Sequence, residues 1–100
     1  MPKDKQVARQ IGDNILAARL RAGLSQEDVA YGAGIHRTAV GQLERAERSP
    51  HAETLIRVAG ALGVATASLL DGIDWTPNET KQGEFNKARM TQSDSTDPDA

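Results

Sequence analysis

The chain has 100 residues, of which 38% are hydrophobic, three are aromatic and none is cysteine. This length allows one small domain with a modest core rather than an elaborate active-site cleft, and the lack of cysteine excludes a disulfide framework and a thiolate metal site. No apolar run approaches the roughly 20 residues that span a bilayer, so we expect a cytoplasmic protein with no membrane partner.

The net charge of −2 is distributed unevenly along the chain. Residues 1–72 carry nine Lys and Arg against eight Asp and Glu, whereas residues 73–100 carry three against six. Residues 76–100 are rich in Asn, Gln, Ser, Thr and Asp and contain almost no aliphatic side chains. Because so polar a segment cannot bury enough apolar surface to offset chain entropy, we predict a folded domain over residues 5–72 and a mostly disordered acidic tail over residues 73–100.

Apolar residues with helical spacing predict an all-α fold with five helices and no strand. The predicted helices span residues 5–22, 26–31, 37–46, 52–62 and 66–70. In the first of them, Ile11, Ile15 and Ala18 recur at i, i+4 and i+7, which places them on one inward face.

The most informative part of the sequence is residues 23–44. Ser25 can cap the second helix, and Asp28, three residues later, completes a capping-box pair. Residues 32–34 are expected to break this helix, with Gly34 suited to the positive φ of a helix exit. Two helices joined by a short turn containing glycine form a helix-turn-helix, whose second helix enters the major groove of DNA.

Motif residues recur in register from the first predicted helix to the fifth. They are Gly12, Ile15, Arg19, Gly23-Leu24-Ser25-Gln26, Ala30, Gly34, Ile35, Leu43-Glu44, Pro50, Glu53-Thr54-Leu55, Ala59, Leu62-Gly63-Val64 and Leu69-Leu70. This set, which covers roughly residues 8–72, resembles the Xre/Cro/C1-type helix-turn-helix family of phage and bacterial repressors. The resemblance implies a lambda-repressor-like domain that binds double-stranded DNA in a sequence-specific way and represses transcription.

The resemblance places the base-contacting residues at the start and on the outer face of helix 3, at Arg37, Thr38 and Gln42. The chemistry of these side chains agrees with that role. An Arg guanidinium pairs bidentately with guanine, a Gln amide pairs with adenine, and Thr offers a hydroxyl or packs its methyl on thymine. The alternative is that all three are ordinary polar residues on a solvated helix face.

The resemblance also implies a set of phosphate contacts. Gln26 lies in the first turn of helix 2, where free N–H groups favour an anion, and it is expected to touch the reading helix. Arg45 and Arg48 flank the end of helix 3 and suit backbone phosphates, with plain surface charge as the alternative. His36 takes the cap position of helix 3, where Ser or Thr is usual, and two roles stay open for it, a weak cap or a phosphate contact.

Other positions are assigned structural roles. The resemblance implies that Arg19 and Glu44 form a partly buried ion pair between helices 1 and 3. Gly41 falls within helix 3, where it either permits close approach to DNA or is simply tolerated. Ala46 replaces a Gly that is common at the end of this helix, which leaves the geometry of the following loop open.

The apolar residues Ile73, Trp75 and Phe85 interrupt the polar composition of the tail. Ile73 and Trp75 either fold back onto helix 5 or helix 1 and complete the core, or they form the seam of a dimer. Burial in the core is the commoner fate of apolar side chains, and we favour it here.

We expect a homodimer on a two-fold-related DNA site, since one such domain reads too few base pairs for useful selectivity. An alternative function is an antitoxin or adaptor whose tail binds a partner protein while the helix-turn-helix autoregulates. A further alternative is a controller protein of a restriction–modification system. Because the sequence shows no nucleophile–base arrangement, and its two His make no metal site, we expect no enzyme activity, cofactor or metal.

Overall fold

The computed structural model describes residues 5–77 and the backbone of residues 84–86. It contains four α-helices, α1 (Lys5–Ala22), α2 (Gln26–Ala33), α3 (Arg37–Glu44) and α4 (Ala52–Leu62). A 3-10 helix (Thr66–Leu70) and two short antiparallel strands, β1 (Asp74–Thr76) and β2 (Glu84–Asn86), follow. The predicted bounds of α1 and α4 are confirmed.

The prediction of a purely helical chain with five α-helices is corrected at the C-terminal end. The fifth helix is a single 3-10 helix of five residues. Trp75 pairs with Phe85 at the centre of the two-stranded sheet, within the segment predicted to be polar tail. Strands of three residues are too short to show the alternation of apolar and polar residues by which a strand is found in sequence. The rest of the predicted tail, residues 78–83 and 87–100, lies outside the described residues.

The second helix is longer than predicted. It continues through Gly32 to Ala33, and the chain leaves it only at Gly34, which has φ 72°. A Cβ atom on Gly32 would lie 3.0 Å from the Cβ of Ala61 in α4, so α2 and α4 pack closely at this glycine. The contact with α4 therefore outweighs the poor helix propensity of Gly32, on which the predicted end of α2 depended.

The third helix ends at Glu44, two residues earlier than predicted. Ala46 adopts φ 61°, the left-handed conformation that favours glycine. The N–H of Ala46 donates to the carbonyl oxygen of Leu43 at 3.2 Å, and that of Glu47 donates to Gln42 at 2.8 Å. This is the bonding pattern of a Schellman exit, so alanine occupies here a position that favours glycine.

The helices enclose an aliphatic core. Its members are Ile11, Ile15, Ala18, Val29, Ala30, Ala33, Val40, Leu43, Leu55, Val58, Ala59, Leu62 and Leu69. In this arrangement α2 packs on α4, while α1 packs on both α3 and the 3-10 helix. Ile73 is half-buried against the same core, whereas Trp75 is 48% exposed. Ile73 and Trp75 therefore differ, and of these two only Ile73 lies where a core-closing residue is expected.

Helices α1 and α3 approach each other closely at Gly12. A Cβ atom on this residue would collide with the carbonyl oxygen of Leu43 and would lie 2.9 Å from that of Glu44. Both oxygens belong to the backbone near the end of α3 and cannot rotate out of the way. The absence of a side chain at Gly12 therefore sets the spacing between α1 and α3.

We predict that Gly12→Ala lowers the free energy of unfolding by about 1–3 kcal/mol, the usual cost of overpacking a tight contact. The matched control is Gly60→Ala in α4, where the residue is exposed and an added Cβ meets no atom within 4 Å. It should raise stability by up to about 1 kcal/mol, because Ala has the better helix propensity. Urea denaturation measures both changes, and a Gly12→Ala variant as stable as the parent would contradict the close crossing.

Candidate nucleic-acid interface

Local hydrogen bonds define both ends of α2. At its start, Ser25 Oγ accepts from the Asp28 N–H at 3.0 Å, and Asp28 Oδ2 accepts from the Ser25 N–H at 2.9 Å. The predicted capping box is thus confirmed, and the hydrogen bond from the Ser25 N–H is the main cause that lowers the pKa of the Asp28 carboxyl. At the other end, Gly34 turns the chain and the Ile35 N–H donates to the Ala30 carbonyl oxygen at 3.0 Å.

A histidine caps the start of α3. His36 Nδ1 accepts a hydrogen bond from the Thr38 N–H at 3.1 Å. An imidazole nitrogen accepts only when it carries no proton, so the cap uses the neutral ring with its proton on Nε2. His36 therefore acts as a helix cap, which is one of the two roles left open for it. Its phosphate contact stays a prediction.

The inner side of α3 is held by a group of polar contacts centred on Glu44. Arg19 Nε lies 2.6 Å from Glu44 Oε2, and Arg19 Nη2 lies 3.1 Å from Glu44 Oε1. Gln26 Nε2 donates to the same Oε1 at 2.9 Å, and Arg19 Nη1 donates to the Leu24 carbonyl oxygen at 2.9 Å. A single carboxylate therefore connects α1, α2 and α3, and we call this set of contacts the Glu44 junction.

The Glu44 junction is largely shielded from water, since the side chains of Arg19 and Glu44 are only 13% and 5% exposed. The hydrogen bond to Glu44 raises the pKa of Arg19, so the guanidinium stays charged. A bidentate Arg–carboxylate pair is directional, and it fixes orientation as well as distance. Gln26, for which the sequence predicts a phosphate contact, donates one amide hydrogen to Glu44 and lies against the reading helix.

With its inner side held in this way, α3 turns its other side to solvent. Positions 37, 38, 41, 42 and 45 share one face, because they are related by steps of one, three and four residues along a helix. Arg37, Thr38 and Arg45 are exposed, and Gln42 is half-buried. The structure therefore brings the three residues predicted to contact bases together on a single outward surface, which we call the outer face of α3.

Arg37 on this surface and Arg48 in the loop that follows α3 each have a polar partner. Arg37 Nη1 lies 3.2 Å from Glu27 Oε2, and these side chains are 66% and 71% exposed. Arg48 Nη1 donates to Gln42 Oε1 at 3.1 Å. Exposed pairs of this kind contribute little to stability and exchange readily for another anion. Sequence reasoning missed Glu27 as a partner of Arg37, since ten residues separate them and no helical spacing relates them.

Arg45 makes a different kind of pair, with a residue in the loop that follows its own helix. Its Nε lies 2.8 Å from Glu47 Oε2, and its Nη2 lies 3.4 Å from Glu47 Oε1. The hydrogen bond raises the pKa of Arg45 and lowers that of Glu47. Glu47 was not singled out in the sequence, because the turn at Ala46 that brings it back towards Arg45 has no glycine to mark it.

Other kinds of site find no support in the part of the chain that is described. Across residues 5–77, no three His, Asp or Glu side chains gather closely enough to hold a metal ion. Among the described helices, none combines the length and the apolar character needed to cross a membrane.

Comparison with known proteins agrees with this geometry. The helix-turn-helix family model matches residues 15–69, which is more than half of the chain, and the chain therefore belongs to this family. It is 37% identical over 71 residues to an HTH-type transcriptional regulator of Sinorhizobium fredii, and the matched region covers 71% of this chain and 92% of that protein. It is 40% identical over 60 residues to the control protein C.SmaI of Serratia marcescens, covering 60% and 71% of the two chains.

A solved structure extends the comparison to three dimensions. The restriction-modification controller protein C.AhdI from Aeromonas hydrophila superimposes with a TM-score of 0.61 at 31% sequence identity. The match covers 62% of this chain and 94% of C.AhdI. The helical domain described above is thus nearly the whole of that controller protein.

The Glu44 junction and the outer face of α3 should respond differently to mutation. Glu44→Ala should lower the free energy of unfolding by about 3 kcal/mol, because it leaves the shielded Arg19 guanidinium without its carboxylate. Gln42→Ala, two positions earlier on the outer face, should change it by no more than about 0.5 kcal/mol. Urea denaturation of the two variants compares them directly. If Glu44→Ala unfolds like the parent, the ion pair does not hold α3.

Proposed function

From its membership of the helix-turn-helix family, we propose that this chain is a sequence-specific regulator of transcription that binds double-stranded DNA and places α3 in the major groove. One observation carries the proposal. The outer face of α3 presents Arg37, Thr38 and Gln42 together, while Glu44 ties the last turn of the same helix to α1 and α2. A helix presented in this way is the element that a helix-turn-helix inserts into DNA.

The base-contacting roles follow from the donors that each side chain has left. Arg37 bonds Glu27 through Nη1, which leaves the edge formed by Nε and Nη2 for guanine O6 and N7. Gln42 accepts from Arg48 through its carbonyl oxygen, and its amide hydrogens are available to a base acceptor. The backbone N–H of Thr38 is used in the helix cap. The exposed side chain of Thr38 offers its hydroxyl and its methyl to DNA.

Phosphate contacts would position the protein on the duplex without reading its sequence. We assign Arg48, His36 and Gln26 to this role. The Nε2–H of His36 is a donor when Nδ1 acts as the cap acceptor, and Gln26 retains a second amide hydrogen beside the N-terminus of α2. On binding, DNA would compete with Glu27 for Arg37, and the contact of Arg48 with phosphate would make affinity dependent on salt.

We further propose that the protein acts as a homodimer and a repressor. Eight residues form α3, so one copy reaches only a few base pairs. Two copies related by a two-fold axis would read two half-sites about 34–36 Å apart, one turn of B-DNA. Repression is the action implied by the family that the sequence resembles.

A narrower function, control of a restriction–modification system, is favoured over the antitoxin alternative by the comparisons. Control protein C.SmaI and the controller C.AhdI are both similar to this chain, and nearly all of C.AhdI is matched. In that case the protein would control a restriction–modification system. A pull-down with and without residues 73–100 tests the antitoxin alternative, which requires the tail to capture a partner protein.

Selection of bound duplexes from a random DNA pool tests the proposed function. The parent protein should enrich a two-fold-related sequence. Arg37→Ala should relax the preference at one base position per half-site and weaken binding to the preferred duplex by about 1–3 kcal/mol. As a control, Arg57→Ala removes an exposed arginine that is paired with Glu53 on α4, and it should keep the base preference.

Two outcomes would contradict this proposal at different levels. If the parent enriches no sequence, the protein is not a sequence-specific DNA-binding protein. If Arg37→Ala weakens binding to preferred and random duplexes equally, Arg37 contacts phosphate and the reading residues lie elsewhere on α3.

A further inference from the structure

Gly41 lies in the middle of the outer face of α3, yet it is buried. The group that covers it is the guanidinium of Arg45, one helical turn later. A Cβ atom on Gly41 would lie 3.0 Å from Arg45 Nη1 and 3.6 Å from both Arg45 Cζ and Nη2. The guanidinium therefore fills the space in which any other residue at position 41 would place its own side chain.

This placement follows from the direction of side chains on a helix, which point towards the N-terminus. Arg45 stands four residues after Gly41, so its side chain runs back along the outer face instead of extending beyond the end of α3. Glu47 holds it there by bonding Nε at 2.8 Å and Nη2 at 3.4 Å. Arg45 is thus fixed by two features, the missing side chain at Gly41 and the carboxylate of Glu47.

We propose that Arg45 is a base-reading residue of the major groove, that Gly41 provides the space for it, and that Glu47 is its positioning residue. This rests on the function proposed above and replaces the phosphate contact expected for Arg45 from the sequence. Nη1 and the second hydrogen of Nη2 form the end of the guanidinium, which is the edge that pairs with guanine O6 and N7. An arginine that binds phosphate from the end of α3 would instead extend outward to the DNA backbone.

The first test is Gly41→Ala, measured on the preferred duplex and on duplexes substituted at each base position. The new Cβ displaces the Arg45 guanidinium. At one base position per half-site, the ratio of affinities for the preferred and the substituted duplex should therefore fall about tenfold, which is the effect of losing one bidentate base contact. Thermal stability should be kept or raised, since Ala is the better helix former. Gly60→Ala, the same change at an exposed site of α4, should leave discrimination intact.

The second test is Arg45→Ala. It should remove discrimination at the same base position as Gly41→Ala, and the double variant should show no further loss, because both changes remove one contact. Equal weakening on preferred and substituted duplexes, with a shallower salt dependence, would overturn the proposal and assign Arg45 to phosphate. Loss of discrimination in Arg37→Ala but not in Arg45→Ala would overturn this proposal alone and leave the proposed function standing.

Glu47→Gln isolates the positioning role. It removes a negative charge near DNA, so affinity for every duplex should rise, while the ratio between preferred and substituted duplexes should fall. A rise in affinity with an unchanged ratio would show that Glu47 only repels phosphate and does not position Arg45.

Discussion

The carboxylate of Glu44 is the group on which the orientation of α3 depends. An eight-residue helix has few apolar contacts of its own, and here Val40 and Leu43 are its large buried side chains. Apolar packing is not directional, so it holds such a helix in place without fixing its rotation about its own axis. The bidentate bond from Arg19 and the amide of Gln26 supply the missing direction, because each requires the carboxylate at a definite angle.

The close approach of α1 to α3 serves the same end. With no side chain at Gly12, the backbone near the end of α3 comes near enough for Arg19, two turns further along α1, to reach Glu44. Once the inner side is held at these two places, the residues of the outer face have no freedom to turn inward. Of the polar partners of that face, Glu27 would compete with DNA for Arg37, whereas Glu47 would keep Arg45 in place.

Local sequence signals were sufficient to predict the structures that spacing or cap chemistry marks. The bounds of α1 and α4 and the capping box of Ser25 and Asp28 were all predicted from spacing and cap chemistry. The Arg19–Glu44 pairing was implied by family resemblance alone, since no periodicity relates residues on different helices. The early predicted end of α2 was wrong because Gly32, a poor helix former, is retained in the helix by its contact with α4.

The remaining differences arise where the sequence carries no marker. The turn after α3 uses Ala46 at a positive φ, so the usual glycine signal is missing and the helix was predicted too long. The strands β1 and β2 are too short to show alternation. The position of Arg45 over Gly41 depends on a side chain folding back by one turn, which only coordinates reveal.

We propose that DNA meets the outer face of α3 and the start of α2 rather than α4 or β1. Titration of the ¹⁵N-labelled protein with its selected duplex tests this proposal most directly, through the chemical shifts of backbone amides. We expect the largest changes at residues 25–28 and 36–48 and small changes along the exposed side of α4, including Gly60. Largest changes on α4 or on β1 would contradict it.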